Sequence, residues 1–237
     1  MSRDPRTNAP QTLFIDADDT LWENNIYFER AIANFISFLN HHEFTPQEVR
    51  GRLNEVEKES ILERGYGLHS FAHSLVTTFE RLAVEPLTPA LHETIRGFAH
   101  AIAEHPVEVL PGVPETLQYL ARRHHLILMT KGNPTEQSGK VERSGLKTYF
   151  SAIEVVREKD PPTYRQAVEK YGLSADQAWM VGNSPKSDVN PSLEAGLNAV
   201  FVPHDQTWIL EHEELAAPPD GCRLLVLERF TELAHHF

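Results

Sequence analysis

Cysteine occurs once in this chain, at Cys222, so no disulfide can form within it. A lone thiol fits a reducing compartment, and a cytoplasmic location is the expectation. Basic residues are also scarce: 22 lysines and arginines stand against 34 aspartates and glutamates, a net charge of -12. Binding to a phosphate backbone asks for the opposite sign, so no nucleic-acid partner is expected. The same deficit means that a site for an anionic substrate must draw on local cations or a metal. Missing too is any run of about 18 apolar residues that would span a bilayer. The opening stretch MSRDPRTNAP is polar, without the apolar core of a signal peptide. Residues 1–10 therefore read as a flexible tail, and no membrane partner is expected. The 13 histidines include no HExxH pair and no spacing that converges metal ligands. The adjacent pairs His41-His42, His124-His125 and His235-His236 read as solvated or local capping groups.

What is present is an ordinary globular mix, 41% apolar and 24% charged, over 237 residues. That length suits one sizeable domain, or a core with a smaller inserted module. Short apolar runs rich in branched residues recur: TLFI (12–15), LILMT (126–130), AIEVV (152–156), AWMVG (178–182), NAVFV (198–202) and RLLVL (223–227). Several are continuously apolar, as strands buried on both faces of a parallel sheet are. Between them lie helix starts. NPTE (133–136) offers an Asn cap, then Pro and Glu, and SADQ (174–177) has the spacing of a capping box. From Leu126 onward strand and helix alternate, which reads as an open α/β sheet with crossover helices.

The interval from about Asn24 to Pro106 shows no strand-like run. IYFERAIANFISFLNHH carries Tyr27, Ala31, Phe35 and Phe38 on one stripe. TPQEVRGRLNEVEKESILERG opens on a capping box, Thr45 with Glu48, and Pro46 at the first helical position. Two more amphipathic segments follow, around FAHSLVTTFERL and TPALHETIRGFAHAIAEH. An excursion this long between sheet elements predicts a separate helical unit.

In a parallel α/β sheet, sites gather at the carboxyl ends of the strands. The first strand is followed by Asp16, Asp18 and Asp19, and the second ends in Thr130 before Lys131, Gly132 and Asn133. Past the third lies Lys159, and past the fourth Asn183 and Asp188. If the extended geometry persists, Asp16 and Asp18 face together and Asp19 faces away. A carboxylate pair needs a cation, and Mg2+ suits hard oxygen ligands. Thr130, with the backbone N–H groups of the turn and helix behind it, makes an anion cradle, and Lys159 adds a positive charge. An EF-hand reading of DADDTL fails, because Thr20 and Leu21 stand where that loop wants Asp or Asn and then Gly.

These stretches together resemble the haloacid dehalogenase superfamily of phosphohydrolases, from about residue 11 to 205. FIDADDTLW is similar to its first motif, ILMTKGN to its second, REKDPPTY to its third and MVGNSPKSD to its fourth, with LPGVPETLQYLARR a typical lead into the second. The fold implied is a Rossmann-like open parallel sheet core, residues 11–23 and 107–237. An all-helical cap domain, residues 24–106, is inserted after the first strand.

The activity implied is Mg2+-dependent hydrolysis of a small phosphorylated metabolite through an aspartyl-phosphate intermediate. By the same resemblance Asp16 is the nucleophile and Asp18 the general acid and base. Thr130, Lys131, Gly132 and Lys159 bind the phosphoryl group, with Thr130 and Lys159 stabilising its transfer. Mg2+ is held by Asp16, the backbone carbonyl of Asp18, and Asn183 or Asp188. Asp18 favours a phosphatase over a 2-haloacid dehalogenase, which lacks a carboxylate there. The fourth motif departs from its usual Gly-Asp in having Gly182-Asn183, a neutral ligand that predicts weaker metal binding. Arg64, Tyr66 and His69, in the glycine-broken stretch RGYGLHS, are expected to read the leaving group; a plain helix–helix turn is the competing reading. Other readings are a phosphonatase, a phosphomutase, a receiver-type signalling domain and a non-catalytic phosphate-binding protein. Oligomeric state is not legible.

Overall fold

The structure, a computed structural model, describes residues 9–40 and 43–237. Most of the tail expected over residues 1–10, and the pair His41-His42, lie outside the described residues. The chain divides into two compact units, Met1–Glu23 with Val107–Phe237, and Asn24–Pro106. Among the described residues no helix is long and apolar enough to cross a membrane.

In chain order the elements are β1 (Thr12–Ile15), α1 (Asn25–Leu39), α2 (Pro46–Arg64), α3 (Leu68–Leu82), α4 (Pro89–Ala103), α5 (Val113–Ala121), β2 (His125–Lys131), α6 (Pro134–Ser144), β3 (Ala152–Val156), α7 (Pro161–Lys170), β4 (Ala178–Gly182), α8 (Asn190–Glu194), β5 (Asn198–Phe201), β6 (Leu224–Val226) and α9 (Leu233–His236).

The discontinuous unit is an α/β sandwich around one parallel six-stranded sheet, in the order β3-β2-β1-β4-β5-β6. Alternation along the strands builds its two cores. Leu13, Ile15, Leu126, Leu128 and Val181 face one side, against Val113 and Leu117 of α5, Val141 of α6 and Leu233 of α9. Phe14, Ile127, Met129 and Met180 face the other, against Tyr164 and Ala167 of α7. Burial on both faces explains why these strands read as unbroken apolar runs.

Local chemistry starts the helices where the sequence places the signals. Asn133 accepts from Thr135 N–H (2.9 Å) and Glu136 N–H (3.2 Å) at the head of α6. Asp160 accepts from Thr163 N–H (2.8 Å) at the head of α7. SADQ differs from expectation: Ala175–Gln177 makes one 3-10 turn with no side-chain cap. β4 begins at the next residue, so there is no room to propagate a helix.

The second unit packs α1–α4 around Ile32, Phe35, Leu53, Phe71, Leu75, Phe79 and Ile95. The reciprocal Thr45–Glu48 box caps α2. On α1 the buried face is Tyr27, Ala31, Ile32 and Phe35, while Phe38 is exposed and leans against Phe98 at 5.6 Å between ring centres. Within RGYGLHS, residues 65–67 form the turn joining α2 to α3, and both of its glycines sit at positive φ; Arg64 ends α2, and His69 lies in the first turn of α3.

Within this unit Glu57 is buried, and its Oε2 has no hydrogen-bond partner among the described residues. Burial pushes its carboxyl up to about 7, against the pull of Arg50 and with the repulsion of Glu29. The folded unit thus holds a proton that the unfolded chain, near 4.5, has released. Stability should fall as pH rises from about 4.5 and level off above about 7, by about 3 kcal/mol in total. Glu57→Gln should remove this contribution, and melting curves at pH 5 and pH 7.5 measure it. Parallel pH dependence in wild type and variant contradicts the assignment.

Candidate active site

The sheet order reverses beside β1, whose neighbours β2 and β4 lead away in opposite directions. Crevices at such a switch point, beyond the carboxyl ends of the strands, are where this architecture places ligands. Register brings the ends together: Ile15 lies opposite Leu128 on one side and Val181 on the other. Asp16 N–H extends the ladder by donating to Val181 O (2.9 Å), which fixes the backbone of the first strand-end residue.

Asp16 is buried, and both its oxygens are engaged. Oδ1 meets the ammonium of Lys159, and Oδ2 accepts from the Thr20 hydroxyl (3.1 Å). The Thr20 hydroxyl also lies 3.2 Å from Asn183 Oδ1. Lys159 Nζ reaches Asp188 Oδ1 at 2.7 Å, so one buried ammonium bridges two buried carboxylates. Asp188, in a single π-helical turn over Pro185–Val189, accepts at Oδ2 from the N–H of Ser184 (2.9 Å), the residue that caps the turn. Tyr164 supports that turn from α7 by donating to Ser187 O (2.8 Å). Burial drives the Asp16 carboxyl up to about 7; Lys159 opposes the shift, while Asp188 and Asp18 add to it. For Lys159, burial works against the charge, but the two aspartates outweigh it and hold the ammonium above its ordinary value.

Asp18 stands in different company. It accepts from Trp22 Nε1 (2.7 Å) and Gln137 Nε2 (2.8 Å), and Lys140 Nζ lies 2.9 Å from both its oxygens. Burial alone would raise its pKa, but Lys140, with the hydrogen bonds from Gln137, Lys140 and Trp22, holds the carboxyl below the usual range. The two carboxylates two residues apart therefore have separate partners and opposite shifts. Asp19 occupies a left-handed turn position (φ 59°), its N–H donating to Trp22 O (2.8 Å) and its Oδ1 3.9 Å from His204 Nδ1.

Thr130 is buried at the end of β2, opposite Val155. The expected phosphate donors beyond it have partners of their own. The Lys131 ammonium is taken by Glu211 (2.6 Å), Ser187 (2.7 Å) and Glu158 (3.4 Å). Gly132 N–H donates to Val156 O (3.2 Å), continuing the sheet. Sequence reasoning missed Thr20, Trp22, Gln137, Lys140, Ser184, Ser187 and Glu211. Glu211, from the segment after β5, accepts from Ser184 Oγ (2.6 Å) and Ser187 Oγ as well as from Lys131. Thr20 and Trp22, each four residues after the aspartate it bonds, and Ser184, four before Asp188, were within local reach; Gln137, Lys140 and Glu211 were not.

The donor chemistry around Asp16 suits a divalent cation. Two buried carboxylates share a single ammonium, and Asn183 turns its amide oxygen toward the same Thr20 hydroxyl while its amide NH2 donates to Thr207 Oγ1 (2.9 Å). These are hard oxygen donors with negative charge left uncompensated, the set that Mg2+ takes. The side chain of Asp18 is held by other partners, so only its backbone carbonyl remains as the expected ligand.

The sequence profile that matches residues 10–196 is that of the haloacid dehalogenase-like hydrolases. The chain belongs to that family. It is similar to a haloacid dehalogenase-like family hydrolase from Xanthomonas campestris, with 30% identity and a TM-score of 0.81 over 96% of this chain and 94% of that one. A glyceraldehyde 3-phosphate phosphatase from Pyrococcus furiosus is 26% identical over 87% of each chain. A phosphoserine phosphatase from Thermus thermophilus is 32% identical, and there the match spans only 46% of each chain, less than half the length of that relative. More distant solved neighbours, under 20% identical, include 2-haloacid dehalogenases and share the fold.

Removing Lys159 should expose the electrostatic cost of this centre. Lys159→Met leaves Asp16 and Asp188 buried with no counter-charge, and a loss of about 3 kcal/mol is expected at pH 8. The loss should shrink toward pH 5, where protonation relieves the repulsion. Urea unfolding at the two pH values measures it; an equal loss at both contradicts this account.

Proposed function

We propose that the protein is a Mg2+-dependent phosphomonoester hydrolase acting on a small phosphorylated metabolite, in a reducing compartment such as the cytoplasm. The observation that carries this reading is the division of labour between two carboxylates. Asp16 is buried between Thr20 and Lys159, and Asp18 is held by donors of its own, Trp22, Gln137 and Lys140, which supports reading it as the acid/base group. A dehalogenase has no need of the second group, whereas making and hydrolysing an aspartyl phosphate uses both.

The steps follow from the placement. An Asp16 oxygen attacks phosphorus, and the bond from phosphorus to the leaving oxygen breaks. Asp18, having taken up a proton beforehand, gives it to that oxygen and is left as a carboxylate. Water then attacks the phosphorus of the aspartyl phosphate while Asp18 accepts its proton, releasing phosphate and restoring Asp16. Lys159, already against Asp16 Oδ1, and Thr130, at the neighbouring strand end, are the groups that offset charge on the transferring phosphoryl oxygens. Asp16, Asp188 and Asn183, with the Asp18 carbonyl, would hold Mg2+, which when bound supplies charge neutralisation to the phosphoryl oxygens. Arg64, Tyr66 and His69 are the first positions for a mutational scan of substrate preference.

A panel of phosphomonoesters including p-nitrophenyl phosphate, O-phosphoserine and glyceraldehyde 3-phosphate tests the reading. Wild type with Mg2+ should release phosphate, and Asp16→Asn should lose about 10^3-fold or more. Release that survives Asp16→Asn, or turnover confined to 2-haloacids, overturns it. Asn183→Asp adds a charged ligand in place of a neutral one. The Mg2+ concentration for half-maximal rate should then fall several-fold, and calorimetric titration should show the same tightening. Unchanged metal dependence removes Asn183 from the ligand set.

A further inference from the structure

We propose that Lys140 and Gln137 are positioning residues for Asp18. They hold the acid/base carboxylate in one orientation from the helix that follows the Thr130 strand end. The inference rests on the phosphatase reading above and adds two residues to it.

Gln137 and Lys140 are three apart on α6 and so share a face of the helix. Each Asp18 oxygen receives two contacts: Oδ1 from Trp22 Nε1 (2.7 Å) and Lys140 Nζ (2.9 Å), Oδ2 from Gln137 Nε2 (2.8 Å) and Lys140 Nζ (2.9 Å). Trp22 is fully buried, and Lys140 leaves only about a fifth of its side chain exposed. An aspartate needed only as a turn former requires none of these donors. With donors on both oxygens, the carboxylate is held in this orientation.

Gln137 extends the tie. Its Nε2 also donates to Lys131 O (3.2 Å), linking Asp18 to the strand end that carries Thr130. Gly132 makes room for it: at φ 141° its backbone suits glycine, and a Cβ there would lie 3.0 Å from Gln137 Nε2. Lys140 has the property an acid/base clamp needs. Because it lies 2.9 Å from both oxygens, it can keep one contact while the other oxygen, without changing orientation, takes a leaving group or water in place of a donor. A general acid must lie within hydrogen-bond reach of the leaving oxygen, and small errors of placement lower the rate.

Two variants, Lys140→Met and Gln137→Leu, test the clamp by its dependence on leaving group. An alkyl oxygen leaves only with a proton, whereas p-nitrophenolate leaves without one. On the alkyl phosphomonoester that wild type turns over best, kcat should fall about 10- to 100-fold with KM little changed. The loss on p-nitrophenyl phosphate should be at least tenfold smaller, and Lys140→Arg should recover most of the alkyl rate. Equal losses on both esters, or none on the alkyl ester, overturn the proposal. A second readout does not depend on turnover. The Trp22 indole N–H resonance, identified by its loss in Trp22→Phe, should shift in Asp18→Ala and again in Lys140→Met. A resonance that ignores Lys140→Met overturns the clamp. Turnover that survives Asp16→Asn defeats the phosphatase reading instead, and the Trp22 resonance still judges the clamp.

Discussion

One ammonium group between two buried carboxylates organises this centre. Lys159 comes from the loop after β3, Asp16 from the end of β1 and Asp188 from the turn after β4. Without the lysine, two negative charges would share a site from which water is largely excluded, at a cost of several kcal/mol. With it, three segments distant in sequence are tied at one point, two carboxylates against one ammonium. The supports around them serve that tie. Thr20 holds the second oxygen of Asp16, Ser184 N–H holds the second oxygen of Asp188, and Tyr164 props the π-helical turn.

The sheet makes the meeting possible. Parallel strands in register end at one level, which brings the segments after β1, β3 and β4 together at Lys159. Around it the chain builds a second tier of charge. Lys131 and Glu211 pair beside the Asp188 turn, with Glu211 also binding Ser184 and Ser187. A net charge of -12 is thus offset locally by three lysines, Lys131, Lys140 and Lys159, each set against a carboxylate near the strand ends.

What the sequence disclosed, and what it hid, divides along physical lines. Strand runs were legible because burial on both faces demands unbroken apolar residues, and TLFI and AWMVG, buried throughout, coincide with β1 and β4; AIEVV, at the sheet edge and only half-buried, tolerates Glu154 and was read from its branched residues. Asn133 was legible as a cap because its bonds reach only two and three residues ahead. SADQ misled because a local signal met a tertiary limit, the start of β4 one residue later. The order of Asp16, Thr130, Lys159 and Asp188 at successive strand ends was likewise readable. Their partners were not. Gln137 and Lys140 lie 119 and 122 residues from Asp18, and Glu211 lies 80 from Lys131. No periodicity marks such pairs, since packing alone decides which charges meet. Lys131 is a case in point: its position was visible, and its counter-charge Glu211 was not.

The central claim is that Asp16 carries the phosphoryl group between two chemical steps. The most direct measurement is an acid quench during turnover with Mg2+, followed by mass spectrometry of the peptide containing Asp16. The account predicts a phosphorylated Asp16 in wild type, more of it in Asp18→Asn, where hydrolysis of the intermediate lacks its base, and none in Asp16→Asn. Phosphate release with no phosphorylated Asp16 in either wild type or Asp18→Asn would contradict it.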